Sequence, residues 1–186
     1  MTGFAAVLDA CVLVPISLAD TLLRLAERGL YRPLWSVRIL EEAQRAVAHV
    51  HPDLDPERIG RRFTDLDAAF VDSCVRGWEP LVDAITLPDP DDRHVVAAGI
   101  RGSASAVVTA NLQDFPEVVL EAVGMHPVHP DDFLLDQLDL APREVHEVIR
   151  EQAAATRAPR RSPDEVLSAL GRAGVGRFAE AVRCSM

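Results

Sequence analysis

Short unbroken apolar runs alternate along this chain with stretches in which apolar residues recur every three or four positions. Residues 4–8 form such a run, closed by Asp9, and predict a buried parallel strand. Between Leu18 and Leu30 the spacing of Leu22, Leu25 and Ala26 predicts a helix, with Gly29 at its end. Leu34 and Trp35 make a brief second strand. Ser36 then stands where a helix N-cap is needed, ahead of a stripe made by Ile39, Leu40, Ala43, Val47 and Val50. After a Pro- and Asp-rich break at 51–56, Ile59, Phe63, Leu66 and Phe70 predict a helix over 57–75. Residues 84–87 read as a strand, and 88–92 as a turn whose acids suit the first turn of a helix over 93–101. A strand at 106–109, a short helix at 117–122 and a strand at 125–128 complete the series. The order β-α-β-α-α-β-α-β-α-β predicts an α/β fold with a parallel sheet covered on both faces.

The tail has a different character. From Pro142 on there are helix-compatible segments and no strand, with a break at 158–163 and glycines at 171, 174 and 176. The expected organisation is a domain over 1–140 and a helical extension over 141–186. Leu167, Leu170, Val175, Phe178 and Val182 suit plain packing on the domain first, with a homodimer surface or a partner's docking face as the other roles open to them. Arg157, Arg160 and Arg161 fit a solvated linker or an RNA contact.

Composition narrows the function. At 186 residues and 48% hydrophobic, the chain can bury a sizeable core. No run approaches the roughly 20 apolar residues that span a bilayer, and the first residues lack the basic segment of a secretory signal, so a cytoplasmic protein with no membrane partner is expected. Cys11, Cys74 and Cys184 are odd in number and far apart, which predicts free thiols rather than disulfides or a zinc site. The net charge of -10 excludes a broad basic nucleic-acid face. It leaves room for a site that concentrates carboxylates until cations reverse the local field. All the basic side chains other than histidine are arginines, so phosphate contacts fall to planar guanidinium groups.

The acids are placed to meet. Asp9 follows the first strand, Glu41 and Glu42 stand near a helix start, Asp89, Asp91 and Asp92 precede the 93–101 helix, and Asn111 and Asp114 follow the 106–109 strand. Strand carboxyl ends in an open α/β sheet share one crevice, where such groups can bind hard divalent cations. Two ions about 3.5 to 4 Å apart can clamp the attacking and leaving oxygens of a phosphodiester displacement. Each acid alone has an ordinary reading as a cap, a turn or a solvated helix residue. Their joint placement points to the chemistry. The histidines offer no i, i+4 zinc pair, His94 reads as a surface residue, and neither a P-loop nor a serine-hydrolase elbow is present. An aspartyl phosphatase would want a second carboxylate where Cys11 stands.

Four stretches carry a family resemblance: Val7-Leu-Asp-Ala-Cys-Val-Leu13, Trp35-Ser-Val-Arg-Ile-Leu-Glu-Glu42, Leu87-Pro-Asp-Pro-Asp-Asp-Arg-His-Val-Val-Ala-Ala98 and Val108-Thr-Ala-Asn-Leu-Gln-Asp-Phe115. Their order and spacing resemble the PIN-domain family, metal-dependent ribonucleases that include the VapC-type toxins of toxin–antitoxin pairs. The resemblance covers about the first 135 residues and implies a PIN-like α/β/α sandwich. It implies Asp9, Glu42, Asp92 and either Asn111 or Asp114 as catalytic and metal-binding positions, holding one or two Mg²⁺ or Mn²⁺ ions. It also implies RNA as substrate and a cognate antitoxin as partner. Thr109 is placed to hold a carboxylate through its hydroxyl, and Arg93 to steady a phosphate or to pair with Asp89. The chain departs from the family pattern at Asn111, where an acid is common, and at Ala10 and Cys11, where hydroxyl or amide residues are common; Cys11 reads as a small core residue rather than a catalytic thiol. Two classes therefore stand: an active ribonuclease toxin, or a catalytically weak or inactive PIN module acting by RNA or protein binding.

Overall fold

The computed structural model describes residues 4–156 and 160–186. Arg157, one of the three tail arginines considered for RNA contact, lies outside the described residues, as do the first residues of the expected 158–163 break. The central element is a four-stranded parallel sheet in the order β2-β1-β3-β4, formed by β1 (Ala5–Leu8), β2 (Arg32–Leu34), β3 (Ala106–Val108) and β4 (His126–Val128). Every residue of β1 and β3 is buried, so both faces of the sheet centre are covered, as continuous apolar runs require.

The flanking helices follow from local signals. Helix α1 (Ala10–Leu13) is a single turn directly after Asp9, and α2 (Ile16–Glu27) brings the chain back to β2. Helix α3 (Val37–Val50) starts at Ser36, whose hydroxyl accepts a hydrogen bond from the Ile39 N–H at 3.2 Å. Of its expected apolar stripe only Val50 is left exposed, at the frayed end. Helix α4 (Pro56–Ala69) has Asp55 as its cap and proline at its first position. Helix α5 (Arg93–Gly102) lies close on the sheet, because a Cβ at Gly99 or Gly102 would meet Met125 or Leu34.

Two expectations needed correction. The helix predicted over 57–75 stops at Ala69. Phe70 leaves helical geometry and sets its ring edge-on against the buried Trp35, at 5.7 Å and 77°. The following residues then run beside the sheet edge, where Trp35 and Cys74 form one isolated parallel bridge. The strand predicted at 84–87 is absent: residues 79–84 form a 3-10 turn closed by the Ile85 N–H on Val82. Ile85 and Leu87 are buried and Thr86 exposed, so the period-two pattern is real, but the segment finds no sheet partner.

After β3, α6 (Glu117–Glu121) leads into β4, and α7 (Pro130–Leu140) opens the helical tail of α8 (Pro142–Ala155), α9 (Pro163–Arg172) and α10 (Gly176–Ser185). Leu167, Leu170, Val175, Phe178 and Val182 are all buried within the chain, which is the plain-packing reading. The tail is tied down by polar contacts as well. Thr21 in α2 donates to the Gln152 side chain of α8 at 2.7 Å, and the Gln152 amide donates to the Ser17 carbonyl at 2.9 Å. Arg28, just past α2, pairs with Glu144, Glu147 and Glu151 along one face of α8.

The start of α10 is capped from a distance. The buried Asp131 carboxylate of α7 accepts from the Phe178 N–H at 2.9 Å and the Arg177 N–H at 3.3 Å, satisfying amides that the helix itself leaves unpaired. Asp131→Ala should lower the unfolding free energy by about 1 to 2 kcal/mol, as loss of a strong N-cap does; chemical denaturation of the two proteins checks it.

Candidate active site

The chain passes from β1 outward to β2, then returns to place β3 on the other side of β1. The strand order therefore reverses between β1 and β3, and a crevice opens at their carboxyl ends, where α/β sheets bind ligands. Asp9 closes β1 and Thr109 follows β3, each continuing the parallel ladder by one backbone hydrogen bond: Asp9 N–H to the Val108 carbonyl at 3.1 Å, and Thr109 N–H to the Val128 carbonyl at 3.0 Å.

Asp9 is 6% exposed, and a carboxylate so placed needs donors. Thr109 Oγ1 donates to Asp9 Oδ2 at 2.7 Å, and the Cys11 thiol donates to the same oxygen at 3.0 Å. Oδ1 carries no hydrogen bond among the described residues. The Thr109 hydroxyl oxygen in turn accepts from the Asn111 N–H at 3.0 Å, and Cys11 sulfur accepts from the Ala110 N–H at 3.3 Å. Burial, then the adjacent Asp9 charge, pushes the Cys11 thiol up to about 12, so it stays protonated and acts as a donor. Arg62 of α4 donates to the Leu13 carbonyl at 2.8 Å and pins the turn of α1 behind Asp9.

Asp92 ends a 3-10 turn over Pro90–Asp92 and leads directly into α5. Neither its carboxylate nor that of Asp114 makes a hydrogen bond or ion pair among the described residues. Burial first, then the negative charges of Asp9, Asp89 and Asp114, raises the Asp92 carboxyl to about 6. The sequence-separated acids therefore feel one another across the crevice. Asn111 is exposed and its side chain caps nothing, while Asp114 is half-buried in the 3-10 turn Leu112–Asp114.

Glu42 is differently placed. Its Oε1 lies 3.1 Å from Arg38 Nε, and its Oε2 3.0 Å from His94 Nε2. Burial alone would raise its carboxyl, but His94 and Arg38 outweigh that and hold it below the usual carboxylate range. Arg38 also donates to the Asp91 carbonyl at 3.3 Å, linking α3 to the turn that carries Asp92. His94 is therefore a buried residue, 1% exposed, and not the surface histidine expected. The miss has a cause: the run Val95–Ala98 is buried on all sides, so position 94 faces the interior too. Arg93 forms no ion pair with Asp89 among the described residues; its Nε is buried without a partner.

The donor set is oxygen-rich, which suits a hard cation such as Mg²⁺ or Mn²⁺. Among the described residues no three His, Cys, Asp or Glu side chains stand assembled as a complete metal-binding group. The fit therefore rests on donor chemistry: Asp9 presents an oxygen free of hydrogen bonds, and Asp92 and Asp114 carry uncompensated charge beside it.

The PIN domain family model matches residues 5–113, and the VapC50 C-terminal domain family model matches residues 130–184. A protein of Mycobacterium tuberculosis named "Putative ribonuclease VapC50" is 45% identical over 80 residues, which are 43% of this chain and 47% of that protein. The chain thus aligns with about half the length of that relative. No solved structure matches it. Among the described residues no helix is long and apolar enough to cross a membrane.

The raised Asp92 carboxyl sets a pH dependence in the metal-free protein. Its pKa is 3.8 when unperturbed and about 6 in the folded chain. The folded state thus binds the proton more tightly, and the stability this gives is present below about pH 4 and lost as pH rises to 6. Asp92→Asn should raise stability at pH 7 by about 1 kcal/mol, allowing for solvent screening of a partly exposed group, and change little at pH 4. Denaturation at the two pH values in EDTA checks it.

Proposed function

The chain belongs to the PIN-domain family, and on that footing we propose that it is a metal-dependent endoribonuclease and the toxin of a toxin–antitoxin pair. The observation that carries the reading is the oriented Asp9 carboxylate at the sheet's switch point, with Asp92 and Asp114 close enough for their charges to act on one another. The family matches support it, as does the relative whose name says ribonuclease.

Asp9, Asp92 and Asp114 would hold one or two Mg²⁺ or Mn²⁺ ions, with Asn111 as a neutral oxygen donor from the same loop and Glu42 at the edge. The bound cation supplies Lewis acidity toward a phosphodiester and an activated water for hydrolysis. Thr109 and Cys11 fix Oδ2 of Asp9, so that Oδ1 is the oxygen offered to the crevice. Arg93, next to Asp92 and without a carboxylate partner among the described residues, would bind an RNA phosphate. RNA approaches an anionic crevice on a chain of net charge -10, which makes prior cation binding a condition of substrate binding.

A cognate antitoxin partner and a cytoplasmic location belong to the same proposal. So does the division into a nuclease unit over 1–140 and a helical extension over 141–186; the C-terminal family match opens somewhat earlier, at the head of α7.

The test is cleavage of a pool of labelled RNAs by purified, partner-free protein in Mg²⁺ or Mn²⁺. EDTA should abolish cutting. Asp9→Ala should lower it by at least about 100-fold, the upper end of what removal of a merely supporting hydrogen bond costs. Folded, metal-bound protein that cuts no RNA would replace the nuclease with an inactive PIN module acting by binding.

A further inference from the structure

We propose that His94 is a positioning residue that fixes the Glu42 carboxylate at the edge of the acidic crevice; its effect on catalysis rests on the nuclease reading, and its effect on Glu42 does not. An imidazole that is 1% exposed is costly to bury unless its polar atoms are used, and simple packing between the sheet and residues 78–87 would be served by an aliphatic side chain. The polar atom of the ring nearest a partner is Nε2, 3.0 Å from Glu42 Oε2, a close contact set off the line of an ideal hydrogen bond. By regular hydrogen-bond geometry neither Nε2 nor Nδ1 is satisfied among the described residues, and of the two it is Nε2 that has a carboxylate within reach. The ring leans on Trp78, with centroids 5.8 Å apart at 51°, and that contact limits how it can turn.

Glu42 is held at both oxygens. Arg38 Nε takes Oε1, and Arg38 Nη2 reaches the Asp91 carbonyl, so one guanidinium spans α3 and the Asp92 turn. Arg38 is partly exposed, whereas His94 lies in the core. The buried ring is therefore the fixed reference, and the arginine closes the clamp. A free glutamate loses considerable rotamer entropy when it is ordered. Here that loss is borne on folding, before cation or RNA arrives, which is how supporting side chains preorganise a site. Asp92, the residue before α5, and His94, in its first turn, sit two residues apart, so the same helix start delivers a crevice carboxylate and the group that orients Glu42.

The proposal requires a proton on Nε2, and ring ¹⁵N NMR of the metal-free full chain reads it directly. The expected result is an Nε2–H in slow exchange with water; a proton on Nδ1 with a bare Nε2 would overturn the assignment, with no variant needed. Three-bond couplings should then show Glu42 in a single rotamer in wild type and in His94→Gln, whose amide is a donor of similar reach. In His94→Phe, which keeps the ring and its packing on Trp78, Glu42 should average over rotamers. With RNA and Mn²⁺, His94→Phe should lose about 10- to 100-fold in kcat while the RNA KM stays within about twofold, and His94→Gln should regain most of it. Glu42 remaining in one rotamer in folded His94→Phe, or a wild-type kcat there, would reduce His94 to a core residue. Ordered Glu42 behaviour in a wild-type protein that cuts no RNA would leave the positioning role standing and remove the nuclease.

Discussion

The hydrogen bond from Thr109 to Asp9 joins the ends of the two strands between which the sheet reverses its order. A carboxylate that is 6% exposed is costly to bury without donors, and removing them would leave a polar group stranded at the top of the apolar core. The interaction also requires register. Leu8 pairs with Val108, so the residues that follow, Asp9 and Thr109, emerge side by side. A slip of one residue would turn the aspartate toward a helix-covered face. Thus the parallel pairing of β1 and β3, the buried alanines and valines that fill it, and the geometry of the crevice depend on one another.

Around that fixed point the acids divide by their partners. Glu42 is held by Arg38 with His94 close against it, and Asp9 is stabilised by neutral donors, whereas the Asp92 and Asp114 carboxylates make no hydrogen bond or ion pair among the described residues. Structural carboxylates elsewhere in the chain do not behave in this way. Asp131 caps α10, Asp67 accepts from the Trp35 indole at 2.8 Å, Asp55 caps α4, and Glu165 completes a capping box with Ser162. A fold that pairs its other buried or half-buried acids so consistently, yet leaves Asp92 raised to about 6 by burial and by the charges of Asp9, Asp89 and Asp114, concentrates negative charge at one place. That contrast supports the proposed cation site over a generally acidic surface.

The sequence made the sheet and most of the acids legible, because both depend on short-range pattern: apolar runs of four or five residues, and polar residues at their ends. Ser36 as a cap and Thr109 as a hydroxyl donor could be read for the same reason. The misses lie where long-range packing decides. Ile85 to Leu87 has strand periodicity, but a strand exists only if a neighbour offers its backbone, and the sheet edge is met instead at Cys74. Phe70 continues a helical stripe in sequence and leaves the helix because Trp35 is there to receive it. His94 reads as a surface residue in the sequence, and Arg38 draws no role there, because histidine and arginine beside acids usually face water; the unbroken small apolar run at 95–98 is the signal that this histidine does not.

The helical tail bears on the site through α2. Helix α2 follows Asp9 and α1 by only a few residues, and its inward face holds Thr21, whose hydroxyl is fully buried against Gln152 of α8. Such a pair is stabilising only while both members remain matched, since either one alone would be a buried polar group without a partner. Arg28 adds three carboxylates of α8 at the far end of α2, worth little singly at the surface but fixing the rotation of one helix on the other. Among the described residues the crevice has no hydrogen bond or ion pair on the carboxylates of Asp92 and Asp114. The order of its first loop therefore depends on how firmly α2 is held from behind. The C-terminal helices supply that hold, and so the extension bears on the shape of the crevice through the helix between them.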